Sequence, residues 1–179
     1  MAALRKAAAY SKKKARAFTR NSKTRSKAYI KVIPPDKVVK YSMGNQKNYS
    51  LGKHKFAIKL LAQEKIQIRD NAVESCRMIL NKLLEKEIPG QFYFRIKIYP
   101  HHILRENRTA AGAGADRLSS GMKHSFGIII GRAAMVKPGQ EIFVVSCEDE
   151  RTAQITKRIM VTAKAKVPCK TKVFFEKLS

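Results

Sequence analysis

A chain that carries 38 Lys and Arg against 13 Asp and Glu, for a formal net charge of +25, must fold against its own repulsion. The excess is not confined to one end. Residues 1–31 hold eleven basic residues and no acid, which leaves +14 on residues 32–179. A polyanionic partner best explains such an excess, because each neutralised phosphate releases condensed counterions and favours binding. Apolar residues make up 44% of the 179, with eight Phe and six Tyr. That is enough for one ordinary core, so the length and composition predict one domain plus an extension.

An anionic membrane is the weaker candidate partner. No apolar run approaches the roughly 18–20 residues of a spanning helix. The N-terminus lacks the apolar stretch and small-residue cleavage site of a secretory signal. Its basic, Ala-rich, acid-free character would also suit a mitochondrial transit peptide, but the Lys12-Lys13-Lys14 block departs from the isolated Arg of such peptides. The same block followed by Arg16 could pass for a nuclear signal, though any RNA-binding arm would look alike. Cys76, Cys147 and Cys169 are scattered and form no Cys-x-x-Cys pair. Neither a disulfide framework nor a zinc site is implied, and free thiols of a reducing cytoplasm are the plain reading.

The first 31 residues lack a sustained apolar period, and such a block of like charges is usually disordered until it meets its partner. Residues 32–55 read as a connector, with Pro34-Pro35 holding it extended and turn formers from Ser42 to Gly52. Phe56–Leu61 reads as a strand. Val73, Cys76, Leu80, Leu83 and Leu84 then recur at helical spacing. Asp70 or Asn71 can cap that helix, Asn71 with Glu74 resembles a capping box, and Pro89-Gly90 ends it. Phe92, Phe94, Ile96 and Ile98 alternate with Tyr93, Arg95, Lys97 and Tyr99, which predicts a strand with one buried and one basic face. After Pro100 the periodicity disappears until about Ser125, apart from a short helix near 116–122. A second strand pair follows at 128–136 and 141–147, joined by Lys137-Pro138-Gly139-Gln140, which suits a type II turn. A helix within 149–165 and a strand at 171–175 close the chain. The order predicts an α+β class: a two-layer α/β sandwich with one mixed sheet, two main helices on one face, and the basic N-terminal extension.

The informative segment is the basic, small-residue stretch at about 101–124. Loops this long inside compact domains tend to be functional or disordered. Ala and Gly bring little bulk, so backbone can approach another surface closely, and Arg105, Arg108 and Arg117 can fork onto phosphates. Sharper chemistry fits poorly. Gly112-Ala-Gly114-Ala-Asp-Arg117 is a broken dinucleotide fingerprint, because Arg117 stands where the third glycine belongs. His101 and His102 are adjacent on an extended segment and point to opposite sides, which suits packing or RNA hydrogen bonds better than one shared ion. No nucleophile with a positioned base and no carboxylate set for two metals is visible. Asp116 beside Arg117 reads as a local salt bridge or helix cap. Phe92 and Phe94 lie at core spacing, while Tyr93, Arg95, Lys97 and Tyr99 remain candidate RNA contacts. The candidate RNA-binding set is therefore Arg5, Lys6, Lys12, Lys13, Lys14, Arg16, Arg20, Lys23, Arg25 and Lys27 in the arm. In the body it is His101, His102, Arg105, Arg108, Arg117, Lys123, His124 and Arg132.

Three runs carry a family resemblance: Gln67-Ile68-Arg69-Asp70-Asn71-Ala72, Tyr99-Pro100-His101-His102-Ile103-Leu104-Arg105-Glu106, and Gly112-Ala-Gly114-Ala-Asp-Arg-Leu-Ser-Ser-Gly-Met122. Together they resemble the universal large-subunit ribosomal protein family "L sixteen", in its archaeal and eukaryotic "L ten e" branch and nearest the archaeal form. The likeness runs from about Ala28 to the C-terminus and is most specific at 99–127. It implies a two-layer α/β fold that binds large-subunit rRNA near the tRNA accommodation corridor, among other large-subunit proteins. It also implies that Arg105, Asn107, Arg108, Thr109, Ala110, Ala111, Gly112, Ala113, Gly114, Ala115 and Asp116 reach toward the peptidyl-transferase region. Two places depart from the pattern. The family's Arg-Pro-Ala-Arg-Cys-Tyr-Arg start is replaced by Leu4-Arg5-Lys6-Ala7-Ala8-Ala9-Tyr10, and its Phe-Gly-Lys-Pro by Phe126-Gly127-Ile128-Ile129, which is expected to bury in the sheet.

The sequence thus predicts a non-enzymatic constituent of the large ribosomal subunit in the cytoplasm, with no cofactor, no metal and no membrane. An arm at 1–31 and a single domain at 32–179 bind rRNA, and the 105–117 loop supports tRNA placement. An RNA-processing enzyme, suggested by the His pair beside two acids, and a nucleic-acid-compacting protein, suggested by charge alone, are the alternatives.

Overall fold

The computed structural model describes residues 17–19, 30, 32–106 and 127–178. In order these form β1 (Ser42–Gly44), α1 (Gln46–Ser50), β2 (Phe56–Ala62), β3 (Ile66–Arg69), α2 (Asp70–Glu87), β4 (Phe92–Ile96), β5 (His102–Glu106), β6 (Ile128–Val136), β7 (Glu141–Cys147), α3 (Glu150–Ala163) and β8 (Thr171–Lys177). The strands divide between a five-stranded sheet, β1-β4-β7-β2-β8, and a three-stranded sheet, β3-β6-β5. Every pairing is antiparallel. The α+β class holds, and α2 and α3 pack on each other and both touch the larger sheet. The single mixed sheet expected from the sequence is refined into two antiparallel ones.

The turn at 137–140 explains the division. It forms as the residue types require, with Gly139 at φ +80° and the Gln140 N–H donating to Lys137 O at 3.2 Å. Turns of this unprimed hand splay their flanking strands, whereas two-residue hairpins use the primed turns. β6 and β7 accordingly enter different sheets and do not pair. The end of β2 clamps the crossing, since Gly139 N–H donates to Ala62 O and Ala62 N–H donates to Gln140 O.

The main core is an apolar layer, with a small separate cluster of Leu104, Ala133 and Ile130 in the three-stranded sheet. Phe92, Phe94 and Ile96 of β4 and Phe143 and Val145 of β7 face Val73, Cys76, Leu80 and Leu84 of α2 and Ala153 and Met160 of α3. The Phe94 and Phe143 rings lie 5.8 Å apart. Burial pushes the Cys76 thiol up to about 12 and the half-buried Cys169 thiol up to about 11. Both therefore stay protonated and act as small apolar groups.

Helix α2 starts without the expected capping box. Asp70 is its first residue, the Asn71 N–H donates to Asp70 Oδ1 at 2.8 Å, and Arg69 precedes it in extended conformation. Glu74 turns to Arg77 instead, accepting from its Nε at 2.8 Å and its Nη2 at 2.6 Å. A forked, charge-assisted pair outcompetes a single backbone amide, and it holds the Glu74 carboxyl below its ordinary value. Glu74 also accepts the Val39 N–H, which ties the connector to the helix. The helix ends before Pro89, as the sequence implies, and Gly90 at φ +71° redirects the chain.

The connector is more ordered than its turn formers suggest, because β1 pairs with β4 and Val38 joins the core. Gly44 makes that pairing possible. Its φ is +88°, and a Cβ there would stand 2.3 Å from Phe92 O. Gly44→Ala is expected to lose on the order of 1–3 kcal/mol from backbone conformation alone, with the clash added. Urea unfolding should show a lower midpoint, and an unchanged midpoint would contradict this role.

Candidate nucleic-acid interface

Residues 102–106, expected to open a loop, form β5. The sequence hides this strand because its pattern does not alternate: His102, Ile103 and Leu104 are all buried. A strand covered on both faces loses the period of two. β5 pairs with β6 from His102 opposite Ala133 to Glu106 opposite Ile128. The connection between these paired residues is therefore anchored at both ends on one ladder. The register shifts between Leu104 and Arg105, an irregularity of the kind that re-aims a side chain. It falls on Arg105, which faces Ile129 across the ladder.

The candidate residues separate once placed. Arg105 is half-buried at the end of this stem. Arg132, opposite Ile103, donates from Nε to Pro34 O at 2.6 Å, so it ties the connector to β6 as well as carrying charge. His101 is exposed, whereas His102 is 4% exposed. The His102 Nδ1 accepts the Phe18 N–H at 2.8 Å, its ring lies 5.4 Å from the Phe18 ring, and Ile103 N–H donates to Phe18 O at 3.0 Å. His102 thus packs against Phe18 and docks that part of the arm on β5. Within the expected arm, Ile30 is buried and Phe18 contacts His102 and Ile103. Arg5, Lys6, Lys12, Lys13, Lys14, Arg16, Arg20, Lys23, Arg25 and Lys27, and Asn107–Asp116 with Arg108, Arg117, Lys123 and His124, lie outside the described residues. The short helix expected near 116–122 lies there too.

Among the outer-face candidates of β4, Arg95 and Lys97 are exposed, but Tyr93 is 5% exposed. It stacks under Tyr49 of α1, with centroids 4.5 Å apart, and its hydroxyl meets Ser42 Oγ at 3.3 Å. Tyr99 continues a stack that the sequence did not reveal: Tyr41 to Tyr99 at 4.9 Å and Tyr99 to exposed His101 at 6.0 Å. Tyr41 donates to the Asp36 carboxylate, and burial together with that carboxylate pushes its phenol up. Tyr41 is distant in sequence from Tyr99 and His101, so only the pairing of β1 with β4 brings it to them. Ile128, expected to bury, is 52% exposed at the start of β6, with Ile129 half-buried.

Carboxylates balance only part of the charge. Among the described residues Lys59 pairs with Glu141 at 3.0 Å and Glu176 at 2.5 Å, and Arg77 pairs with Glu74. Arg95, Lys97, Arg151, Lys157 and Arg158 are exposed and make no such pair. No described group of three His, Cys, Asp or Glu residues could hold a metal, and no described helix is long and apolar enough to cross a membrane.

The family model described as ribosomal protein L16p/L10e matches residues 13–174, nearly the whole chain. The chain belongs to the ribosomal protein L16p/L10e family. The match begins within the arm, earlier than the residue near 28 from which the resemblance was drawn. Among its archaeal relatives is the large ribosomal subunit protein uL16 of Hyperthermus butylicus, 42% identical over 142 residues, or 79% of this chain and 76% of the relative. The Methanococcus maripaludis protein of the same name is 44% identical over 150 residues, covering 83% and 81%. That of Archaeoglobus fulgidus is 40% identical over 150 residues, covering 83% of each. The family likeness read from residues 67–72, 99–106 and 112–122 is thereby established, in its archaeal form.

The docking of Phe18 gives a direct test. His102→Ala is expected to raise hydrogen exchange at both the Phe18 and Ile103 amides, since one loses its acceptor and the other loses the carbonyl that Phe18 presents. Unchanged protection of Ile103 would contradict the contact.

Proposed function

We propose that this chain is a structural constituent of the large ribosomal subunit, where it binds rRNA and neighbouring ribosomal proteins and supports tRNA placement. The observation that carries the reading is membership of the L16p/L10e family across residues 13–174, a span that includes the Arg105–Arg117 segment. The charge fits: +25 on 179 residues, with exposed cations that make no ion pair among the described residues, suits a phosphate-rich partner. In this reading the arm and the basic body bind rRNA. Residues 105–117, which begin on β5 at Arg105 and Glu106, reach toward tRNA near the peptidyl-transferase region. Arg105, Arg108 and Arg117 supply forked donors for phosphate oxygens, and Gly112 and Gly114 allow close approach. The protein orders RNA, and peptide transfer belongs to the RNA itself.

Binding of the purified chain to large-subunit rRNA should be steeply salt-dependent. With about 6–10 phosphates neutralised, affinity falls roughly 10³–10⁵-fold between 50 and 200 mM salt. A flat response would sink the reading. Replacing Arg105, Arg108 and Arg117 together with Ala should impair translation more than rRNA binding. Equal loss of both would reduce the segment to an anchor.

A further inference from the structure

The face of the five-stranded sheet that α2 and α3 leave uncovered holds a cavity of about 180 Å³. Tyr49 forms one wall, its ring stacked on Tyr93 and 41% exposed. Arg95 and Lys97, on alternate positions of the chain through β4, line another side, and neither pairs with a carboxylate among the described residues. Ser146 is 3% exposed, and its hydroxyl makes no hydrogen bond to another described residue. Glu141 also lines the cavity, with one oxygen on Lys59.

These features point to one kind of occupant. The volume is below the roughly 300–1,000 Å³ of sites for drug-sized ligands and cofactors, which suits a single ring system. An exposed aromatic face beside free cations is how proteins hold single-stranded nucleic acid, the ring stacking a base while the cations track its phosphates. An acidic peptide would satisfy Arg95 and Lys97, but it would meet the Glu141 carboxylate and leave the tyrosine face unused. Glu141 and Ser146 instead offer acceptors to a base's exocyclic amine, and Ser146 offers a donor as well. We infer that this cavity binds one unpaired RNA nucleotide, the base against Tyr49 and the phosphates on Arg95 and Lys97. The inference rests on the rRNA-binding reading and adds a second contact surface, separate from the β5–β6 stem.

The test uses the full chain with large-subunit rRNA. Tyr49→Leu keeps apolar cover over Tyr93 but removes the stacking plane. It is expected to weaken binding on the order of 5- to 150-fold with an unchanged salt slope. Arg95→Ala with Lys97→Ala alters only exposed side chains and should lower the log–log salt slope by about 1.4, the value for two single-strand phosphates. A photoreactive residue at position 97 should cross-link to RNA in assembled subunits. Wild-type affinity and slope in the Arg95/Lys97 variant, or a cross-link to a ribosomal protein, would overturn the inference, even if Tyr49→Leu failed to fold. A wild-type chain without steep salt dependence would instead overturn the rRNA-binding reading on which it stands.

Discussion

The antiparallel ladder between β5 and β6 joins the two flanks of the basic, small-residue segment of this chain. Ile103 faces Arg132 and Glu106 faces Ile128, so both ends of the 107–127 connection are fixed on neighbouring strands. The third strand, β3, pairs with the far end of β6 and runs directly into α2. The ladder is thereby tied to the helix that buries Val73, Cys76, Leu80 and Leu84 against the larger sheet. The flanks of the segment thus lie on regular elements, and sites supported by such elements are held more precisely than sites on loops alone.

The same arrangement reconciles a core with a surplus of cations. Apolar side chains are concentrated in one layer, while carboxylates are placed where they bind two elements at once. Lys59 on β2 is held by Glu141 on β7 and Glu176 on β8, its two neighbouring strands. Glu74 and Arg77 join α2 to the connector through Val39. Acids are outnumbered 13 to 38 by Lys and Arg. Outer cations such as Arg95 and Lys97 make no ion pair among the described residues, which suits a partner rich in phosphate. Arg132 shows the two roles together, with its guanidinium on the Pro34 carbonyl and its position beside the stem.

Much of this was legible in the sequence because its signals were local. The alternation of Phe92, Phe94 and Ile96 identified β4, the spacing from Val73 to Leu84 identified α2, and Pro138-Gly139 identified the turn. Signals failed where partners are distant. The turn was recognisable, but the sheet that β7 joins depends on the hand of that turn. β5 escaped because both its faces are covered, one of them at His102 by Phe18, 84 positions away. Tyr93 read as an outward contact because alternation gives its face, and nothing local shows that Tyr49 folds over it. The Tyr41–Tyr99–His101 stack exists only once β1 lies beside β4. The family motifs reached furthest, since they identified a role that no spacing of charges or aromatic residues carries by itself.

The central claim is that this chain belongs in the large ribosomal subunit, and its position in a density gradient of native lysate at low and moderate salt tests that most directly. Co-migration with large subunits and intact ribosomes at both salts is the predicted result. Slow sedimentation, or migration with DNA, would contradict the account.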